Sequence, residues 1–322
     1  IRDDLVTGVQ TCALPILTRG RANTLRLAIS GQLGPNALTS NEMAETVKLC
    51  VSCKGCKHEC PTGVDMARMK IEVQAARARK HGVSLKERLV ADLPRYAPFA
   101  AKLPWLMNLR DRIPGLAKLT ESLTGFTARR PLPKWASKPF CDDEVGKSEA
   151  PHAVIFADSF NRYFEPENLR AAVEVLQAAG VSLDIVRAKA GERPLCCGRT
   201  YLSVGLVDQA RAEARRLVDA LTAYSEKGIA IIGLEPSCLL TLRDEIPALL
   251  PGAATAKIAE NALMFEEYIA RQKDNPDFQL NLKSPAPKVL LHGHCHQKAM
   301  QVVPAIEQTL ALLPDTAVEK IE

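Results

Sequence analysis

From residue 151 onward, short apolar runs alternate with longer stretches whose apolar positions recur every three or four residues. These two periodicities match a pleated strand and a helix, so the runs predict strands and the stretches predict helices. Such alternation is typical of parallel sheets with right-handed crossovers, in which functional groups lie on loops at the carboxyl ends of strands. Strands are expected at 152–157, 182–187, 229–234 and 288–291, and helices at 167–179, 205–224, 237–245, 262–272 and 302–313.

The part of the chain before residue 83 shows helical periodicity and no strand signal. Helices are predicted at 17–38, at 40–48 after the capping residues around Ser40, and at 64–80, where Gly82 ends the last one. We therefore expect an α + α/β fold, in which an all-helical, ferredoxin-like module at 17–82 precedes the parallel α/β units.

Residues 83–150 contain seven prolines and both tryptophans, and they predict short helices followed by a linker at 129–140. Apolar and basic side chains are mixed between Arg95 and Arg112. This mixture is typical of a surface that packs against a neighbouring domain, and a membrane-surface or quinone-facing patch is the alternative interpretation. The α/β domain is then expected to occupy residues 151–322.

Residues 1–16 show no clear periodicity and resemble translated sequencing-adapter read-through. A segment of that origin says nothing about a fold, so we exclude it, together with Cys12, from the structural argument. On this interpretation the chain is a fragment whose true beginning is missing.

The overall composition is that of a soluble globular protein, with 25% charged and 47% hydrophobic residues. The net charge of +5 indicates no nucleic-acid footprint. No run approaches the roughly 20 apolar residues that a membrane span requires. Ten cysteines, most of them clustered, favour metal-bound thiolates in a reducing compartment, so we expect a cytoplasmic protein, with a peripheral position on the inner face of the cell membrane as the alternative.

The first cysteine cluster is Cys50, Cys53, Cys56 and Cys60, followed by Pro61. Its C-x2-C-x2-C-x3-C-P spacing is the one that bacterial ferredoxins use to hold a [4Fe–4S] cluster. A zinc site, a disulfide pair and a redox C-x-x-C motif fit four cysteines in eleven residues poorly. We therefore predict that these four cysteines bind a [4Fe–4S] cluster. His58, which lies within the motif, is expected to face solvent.

A second set of cysteines follows the predicted strands: Cys196, Cys197, Cys238 and Cys295. Strand ends meet at one edge of a parallel sheet, so these side chains are candidates for a second iron–sulfur or zinc site. Buried thiols packed as small hydrophobes are the alternative. His296, beside Cys295, is a candidate ligand, proton-transfer group or hydrogen-bond donor to a ligand. Cys141 stands alone and is expected to be a plain thiol.

Together these motifs resemble the iron–sulfur and CCG-domain portion of FAD-linked 2-hydroxyacid dehydrogenases, of the large bacterial D-2-hydroxyglutarate type. The resemblance covers residues 17–322 and also extends to the glycolate oxidase iron–sulfur subunit and to the CCG-containing subunit of heterodisulfide reductase. It is carried by RGRANTLRLAISGQLGP, CVSCKGCKHECPTGVDMARMK, LCCGRTYLSVGL, LEPSCLLTLRDE and LHGHCHQKAM.

The resemblance implies an electron-transfer function. Electrons would leave a reduced FAD, held by a domain of the same full-length chain or of a partner subunit, and reach a quinone or flavoprotein acceptor through the [4Fe–4S] centre. The hydride chemistry belongs to the flavin, and no residue of this chain is assigned as catalytic. In two-cluster ferredoxins the fourth cysteine of such a run serves the other cluster, which is the role implied for Cys60.

The chain also departs from the family pattern. Asp158 and Thr241 stand where a complete heterodisulfide-reductase CCG unit has cysteines, and the second CCG would fall beyond Glu322. An upstream FAD domain is absent from this sequence. A heterodisulfide-reductase-like thiol/disulfide module and a zinc-binding scaffold are therefore kept as alternative functions.

Overall fold

A computed structural model describes residues 17–284 and 286–321 of the chain. The leader-like segment 1–16 and its Cys12 lie outside the described residues. The α/β part is built on a parallel sheet with strand order β2-β1-β3-β4. Its strands are β1 Ala153–Ile155, β2 Leu183–Ile185, β3 Ala230–Gly233 and β4 Ala262–Met264.

Alternate residues of each strand point to opposite faces of the four-stranded sheet. Both faces are apolar, and helices pack on each of them. Val154 and Ile231 belong to the apolar cluster on one face, and Ile155 and Ile232 belong to the cluster on the other. The helices of this part are α9 Ser159–Tyr163, α10 Pro166–Ala178, α11 Arg199–Leu202, α12 Val207–Glu226, α13 Pro236–Leu239, α14 Glu245–Leu249, α15 Ala253–Asn261, α16 Phe265–Gln272, α17 Cys295–Ala299 and α18 Val303–Leu310.

Helix α12 shows why the sequence forms a helix here. Ala214, Leu217 and Leu221 recur at helical spacing, are fully buried and belong to the apolar cluster on one face of the sheet, so one stripe of the helix covers the sheet. Helix α15 packs along it.

The strand predicted at 288–291 does not join the main sheet. It forms β5 Lys288–Leu291, which pairs in parallel with β6 Ala317–Lys320 in a separate two-stranded sheet. Helices α17 and α18 connect the two strands, and α18 packs on α16 of the main domain. Cys295 therefore begins a helix after a strand, as expected, but that strand belongs to another sheet.

The helical module consists of α1 Thr18–Ile29, α2 Asn41–Lys48, α3 Gly55–Glu59 and α4 Met66–His81. Helix α1 is shorter than predicted because Gly31 and Gly34 adopt left-handed backbone after it. Ser40 caps α2 by accepting a hydrogen bond from the Met43 N–H.

The proline-rich region contains α5 Leu85–Ala91, α6 Leu93–Ala100, α7 Pro104–Met107 and α8 Leu116–Thr124, and residues 129–140 form no helix. Trp135 anchors the region by packing with Ala97, Ala101 and Tyr163 in one buried cluster. The helical module also touches the α/β part directly. A Cβ placed on Gly205 would lie under 3.0 Å from the backbone of α4, so only glycine allows this approach.

The arrangement is compatible with the α + α/β fold class, and it brings the loop of the first cysteine cluster against Asp244 and Glu245, in the segment of the α/β part that follows β3.

Candidate functional site

The loop from Cys50 to Lys54 has an unusual backbone. Ser52 and Lys54 both have positive φ values, of 59° and 61°, in the left-handed region that side chains other than glycine rarely adopt. Such strain persists where the surrounding structure holds it. Cys50 is buried in the apolar cluster of the helical module, and Cys56 packs against the same cluster. Cys53, Cys56 and Cys60 are each partly exposed.

Backbone and hydroxyl groups point at two of the sulfurs of this loop. The Met66 N–H donates a hydrogen bond to Cys56 Sγ over 3.4 Å. The Thr62 hydroxyl lies 3.1 Å from Cys60 Sγ. This hydroxyl and the N–H groups of Val64 and Thr62 lower the pKa of Cys60. Donors of this kind stabilise the thiolate form, which is the form that binds metals.

A buried ionic network holds the loop against the α/β part. Lys54 Nζ lies 2.5 Å from Asp244 Oδ2 and 2.6 Å from Glu245 Oε1, and the three side chains are at most 6% exposed. Lys57 Nζ lies 2.8 Å from Asp244 Oδ1, and Arg68 forms an ion pair with the same carboxylate. Three cations of the helical module thus converge on Asp244, at the end of the segment that follows β3.

Burial alone would raise the pKa of Asp244. The hydrogen bond and charge of Lys54, the hydrogen bond from Lys57 and the charge of Arg68 outweigh burial and hold this pKa well below its usual range. Asp244 is therefore ionised at neutral pH, and the network stays charged.

Helix α17 completes the contact between the two parts. His296 Nε2 lies 2.9 Å from the carbonyl oxygen of Ser52, in the strained loop, and 3.1 Å from Arg199. Arg199 also binds Glu245 Oε1 at 2.8 Å, which joins His296 to the ionic network. Burial, followed by the charge of Arg199, lowers the pKa of His296, so a neutral imidazole can donate its Nε2 proton to the Ser52 carbonyl.

The second cysteine set is divided by the fold. Cys196, Cys197 and Cys238 are buried, and their sulfurs form a hydrogen-bonded chain with Cys197 in the middle. Cys295 is exposed, although its helix α17 packs against both α3, which carries Cys56, and α13, which carries Cys238. The structure thus brings three of the four cysteines together, and Cys295 begins the helix that lies between the two cysteine sites.

These buried thiols are protonated at neutral pH. The pKa of Cys196 is raised well above the usual value, first by its hydrogen bond with Cys197 and then by burial. The hydrogen bond with Cys197 lowers the pKa of Cys238, but burial and the negative charge of Asp158 outweigh it and raise the pKa to about 12.

Asp158 lies in this same buried region, after β1. Its carboxylate caps α9 by accepting hydrogen bonds from the N–H groups of Phe160, at 2.9 Å, and Asn161, at 3.0 Å. Burial raises the pKa of Asp158 to about 6, against the opposing hydrogen bonds from Asn161. Thr241 is buried too, and its hydroxyl donates to the Ser237 carbonyl at 2.7 Å. The side chains of Asp158 and Thr241 thus both find hydrogen-bond partners within their own segments of the chain.

The donor chemistry fits a thiolate-bound cofactor better at the first cysteine cluster than at the second. The first has hydrogen-bond donors on its sulfurs and surplus positive charge beside it, since four cations face three carboxylates. Among residues 17–284 and 286–321, no group of three or more His, Cys, Asp or Glu side chains is placed so that it could hold a metal ion. All nine cysteines of this part of the chain are free thiols.

The remaining candidate residues, His58 and Cys141, lie at the surface. His58 is exposed, and its Nε2 lies 3.2 Å from the Gln301 amide nitrogen. Cys141 is exposed, on the loop before β1. Sequence reasoning missed Lys54, Asp244 and Arg199. The acidic pair after Arg243 in LRDE was a weak signal, since charged residues usually lie at the surface.

The chain is similar to several bacterial proteins named D-2-hydroxyglutarate dehydrogenase. The Escherichia coli protein is 24% identical over 241 residues, which are 72% of this chain and 23% of that protein. The Haemophilus influenzae protein is 23% identical over 265 residues, 77% of this chain and 24% of that protein. The Pantoea ananatis protein is 20% identical over 272 residues, 80% of this chain and 25% of that protein.

The chain thus spans about a quarter of the length of the curated relatives it matches. No family model matches the chain, and no solved structure matches it. Each of these similarities is to a part of a protein that carries the name D-2-hydroxyglutarate dehydrogenase.

Proposed function

We propose that this chain is the electron-transfer portion of an FAD-dependent D-2-hydroxyacid dehydrogenase in the reducing cytoplasm. Cys50, Cys53 and Cys56 hold a [4Fe–4S] cluster, and Cys60 serves it or a partner cluster. The flavin domain that oxidises the hydroxyacid lies elsewhere in the full-length protein or in a partner subunit. D-2-hydroxyglutarate is the first substrate to test, because the relatives carry that name.

The observation that carries the proposal is the C-x2-C-x2-C-x3-C-P run on a strained loop that the rest of the fold holds in place. When bound, the cluster supplies a one-electron carrier between the two-electron flavin and an acceptor such as a quinone or a flavoprotein. The chain's own residues then have two tasks. The Met66 N–H and the Thr62 hydroxyl stabilise negative charge on sulfur, and Lys54 fixes the loop to Asp244 and Glu245.

The excess of positive charge around the loop supports the same function. A thiolate-bound cluster is anionic, and the four cations Lys54, Lys57, Arg68 and Arg199 outnumber the three carboxylates that they contact, which belong to Asp65, Asp244 and Glu245. Positive charge close to a redox centre favours its reduced form. The loop is thus suited to accept electrons.

The buried sulfurs of Cys196, Cys197 and Cys238 remain candidates for a second iron–sulfur or zinc site. Their burial argues against the thiol/disulfide alternative, because exchange requires an accessible thiolate and these thiols are buried and protonated. A metal at this position would have to displace their protons.

Substrate-dependent reduction tests the proposal. The complete gene product, purified without oxygen, is mixed with D-2-hydroxyglutarate, and the reduced cluster is followed by EPR after rapid freezing. We expect a signal that grows with substrate in the wild type and is absent in Cys53→Ser.

Cys141→Ser is the matched control, because Cys141 is an exposed thiol outside both cysteine sites. It should behave as the wild type does. Flavin reduction without any cluster signal, in a protein that contains iron, would contradict the proposed direction of electron flow.

A further inference from the structure

Exposed apolar side chains are concentrated in the proline-rich region. Within the described residues, nine of the nineteen exposed large hydrophobic side chains fall between Phe99 and Leu132. Phe99 is 69% exposed, Trp105 58% and Leu123 66%. None of the buried hydrophobic clusters of the described chain includes a residue from 102–134, so these side chains find no cover there.

The exposed side chains stand on an ordered scaffold. The buried Arg110 guanidinium donates to the Thr120 hydroxyl at 3.0 Å and to the Thr127 carbonyl at 2.7 Å, which ties the turn after α7 to α8 and to the loop that follows α8. Asn108 exchanges two hydrogen bonds of 2.9 Å with the backbone of Trp135, which is itself buried. The apolar side chains are thus presented by a fixed surface and not by a loose tail.

Positive charge is concentrated on the same segment. Residues 93–138 contain nine Lys and Arg and only two Asp and Glu, which leaves 33 basic and 35 acidic residues in the rest of the chain. Within the described residues, seven of the nine cations form no ion pair. Four of these seven are lysines, namely Lys102, Lys118, Lys134 and Lys138.

We propose that residues 99–138 form a docking surface for an anionic phospholipid membrane. Apolar side chains such as Trp105 and Phe99 enter the interface between headgroups and acyl chains, and the unpaired cations contact the lipid phosphates. The abundance of lysine favours lipid over a protein partner, because lysine is depleted from protein–protein interfaces. Among the helices of the described residues, none has the length and the apolar composition that a bilayer span requires.

This inference is independent of the proposed function, because it depends only on the surface of the chain. The chain is mixed with vesicles of phosphatidylcholine alone or of phosphatidylcholine with phosphatidylglycerol, and binding is measured by sedimentation. We expect binding to the anionic vesicles only, weakened by salt. Each cation near an anionic surface contributes roughly a fivefold change in affinity. Reversing two charges in Lys102→Glu/Lys118→Glu should therefore weaken binding at least roughly 20-fold.

The two tryptophans give a second measurement, because Trp105 is exposed and Trp135 is buried. Fluorescence emission from Trp105 alone is measured in Trp135→Phe, or as the difference between the wild type and Trp105→Phe. This emission should shift to shorter wavelength when anionic vesicles are added. Emission from Trp135 should not shift. Trp105→Glu should bind weakly, and Leu290→Glu, an exposed apolar position on β5, should bind like the wild type.

Matched charge reversals at the exposed Lys227 and Lys257 should have a much smaller effect than those at Lys102 and Lys118. The proposal is overturned if anionic vesicles bind no protein, or if all variants bind equally. It is also overturned if the wild type does not bind vesicles but self-associates, and Trp105→Glu abolishes the self-association. A second copy of the chain would then be the occupant.

Discussion

Replacing Asp244 with asparagine should weaken the contact between the helical module and the α/β part. The substitution keeps the size of the side chain but removes the charge on which Lys54, Lys57 and Arg68 converge. Removing one member of a buried ion pair costs about 3–5 kcal/mol, because the remaining charge is left without its partner. Lys54 keeps Glu245 at 2.6 Å, so the lower end of about 3 kcal/mol is expected.

Urea unfolding and amide hydrogen exchange measure this effect. Asp244→Asn should lose about 3 kcal/mol of unfolding free energy, a large part of a typical domain's 5–15 kcal/mol. Exchange should accelerate most at residues 50–60, whose strained backbone depends on the contact.

The matched control is Asp208→Asn, because Asp208 is 93% exposed and also binds an arginine, at 2.9 Å. An exposed pair of this kind contributes less than about 0.5 kcal/mol. Equal unfolding midpoints and equal exchange in the two variants would refute the role assigned to the network.

The same network predicts a pH dependence. The pKa of Asp244 lies below its usual range, so the folded chain binds this proton less tightly than the unfolded chain does. Its stabilisation is complete above the unfolded pKa of about 3.9 and is lost as pH falls through the folded value. The stability difference between wild type and Asp244→Asn should be constant above about pH 5 and shrink below about pH 4.

Two further substitutions test the packing between the module and the α/β part. Gly205→Ala should destabilise the protein by more than about 2 kcal/mol, because its Cβ meets the backbone of α4, whereas Gly191→Ala, with similar φ and open space, should cost about 1 kcal/mol in urea unfolding. Tyr201→Phe should cost about 1 kcal/mol by the same measurement, because it removes the hydrogen bond of 3.1 Å to Asp92.

Capping residues and glycines in the sequence correctly predicted where individual helices begin and end. Helix α4 ends beside Gly82, whose positive φ of 74° glycine adopts readily, and α2 begins after Ser40 as expected. The same reasoning failed at 262–272, which was predicted as one helix. Its first three residues form the edge strand β4, because pairing with β3 outweighs the helical propensity of alanine, leucine and methionine.

The candidate site was predictable only in part. The spacing of Cys50 to Cys60 is local, and the rule that strand ends meet predicted the proximity of Cys197 and Cys238. The link from Lys54 to Asp244 joins residues 190 positions apart, and no periodicity in the sequence encodes such a contact. For the same reason, the sequence could not show that the helix beginning at Cys295 would lie between the two cysteine sites.

Iron content, together with EPR of the anaerobically purified gene product after reduction with dithionite, tests most directly whether the first cysteine cluster binds a [4Fe–4S] centre. The account predicts iron and inorganic sulfide in the wild type and in Cys141→Ser, with loss of the cluster signal in Cys53→Ser. Cys197→Ser should retain the signal of the first cysteine cluster. An iron content and a spectrum in Cys53→Ser identical to those of Cys141→Ser would contradict the account, as would a wild-type protein without iron.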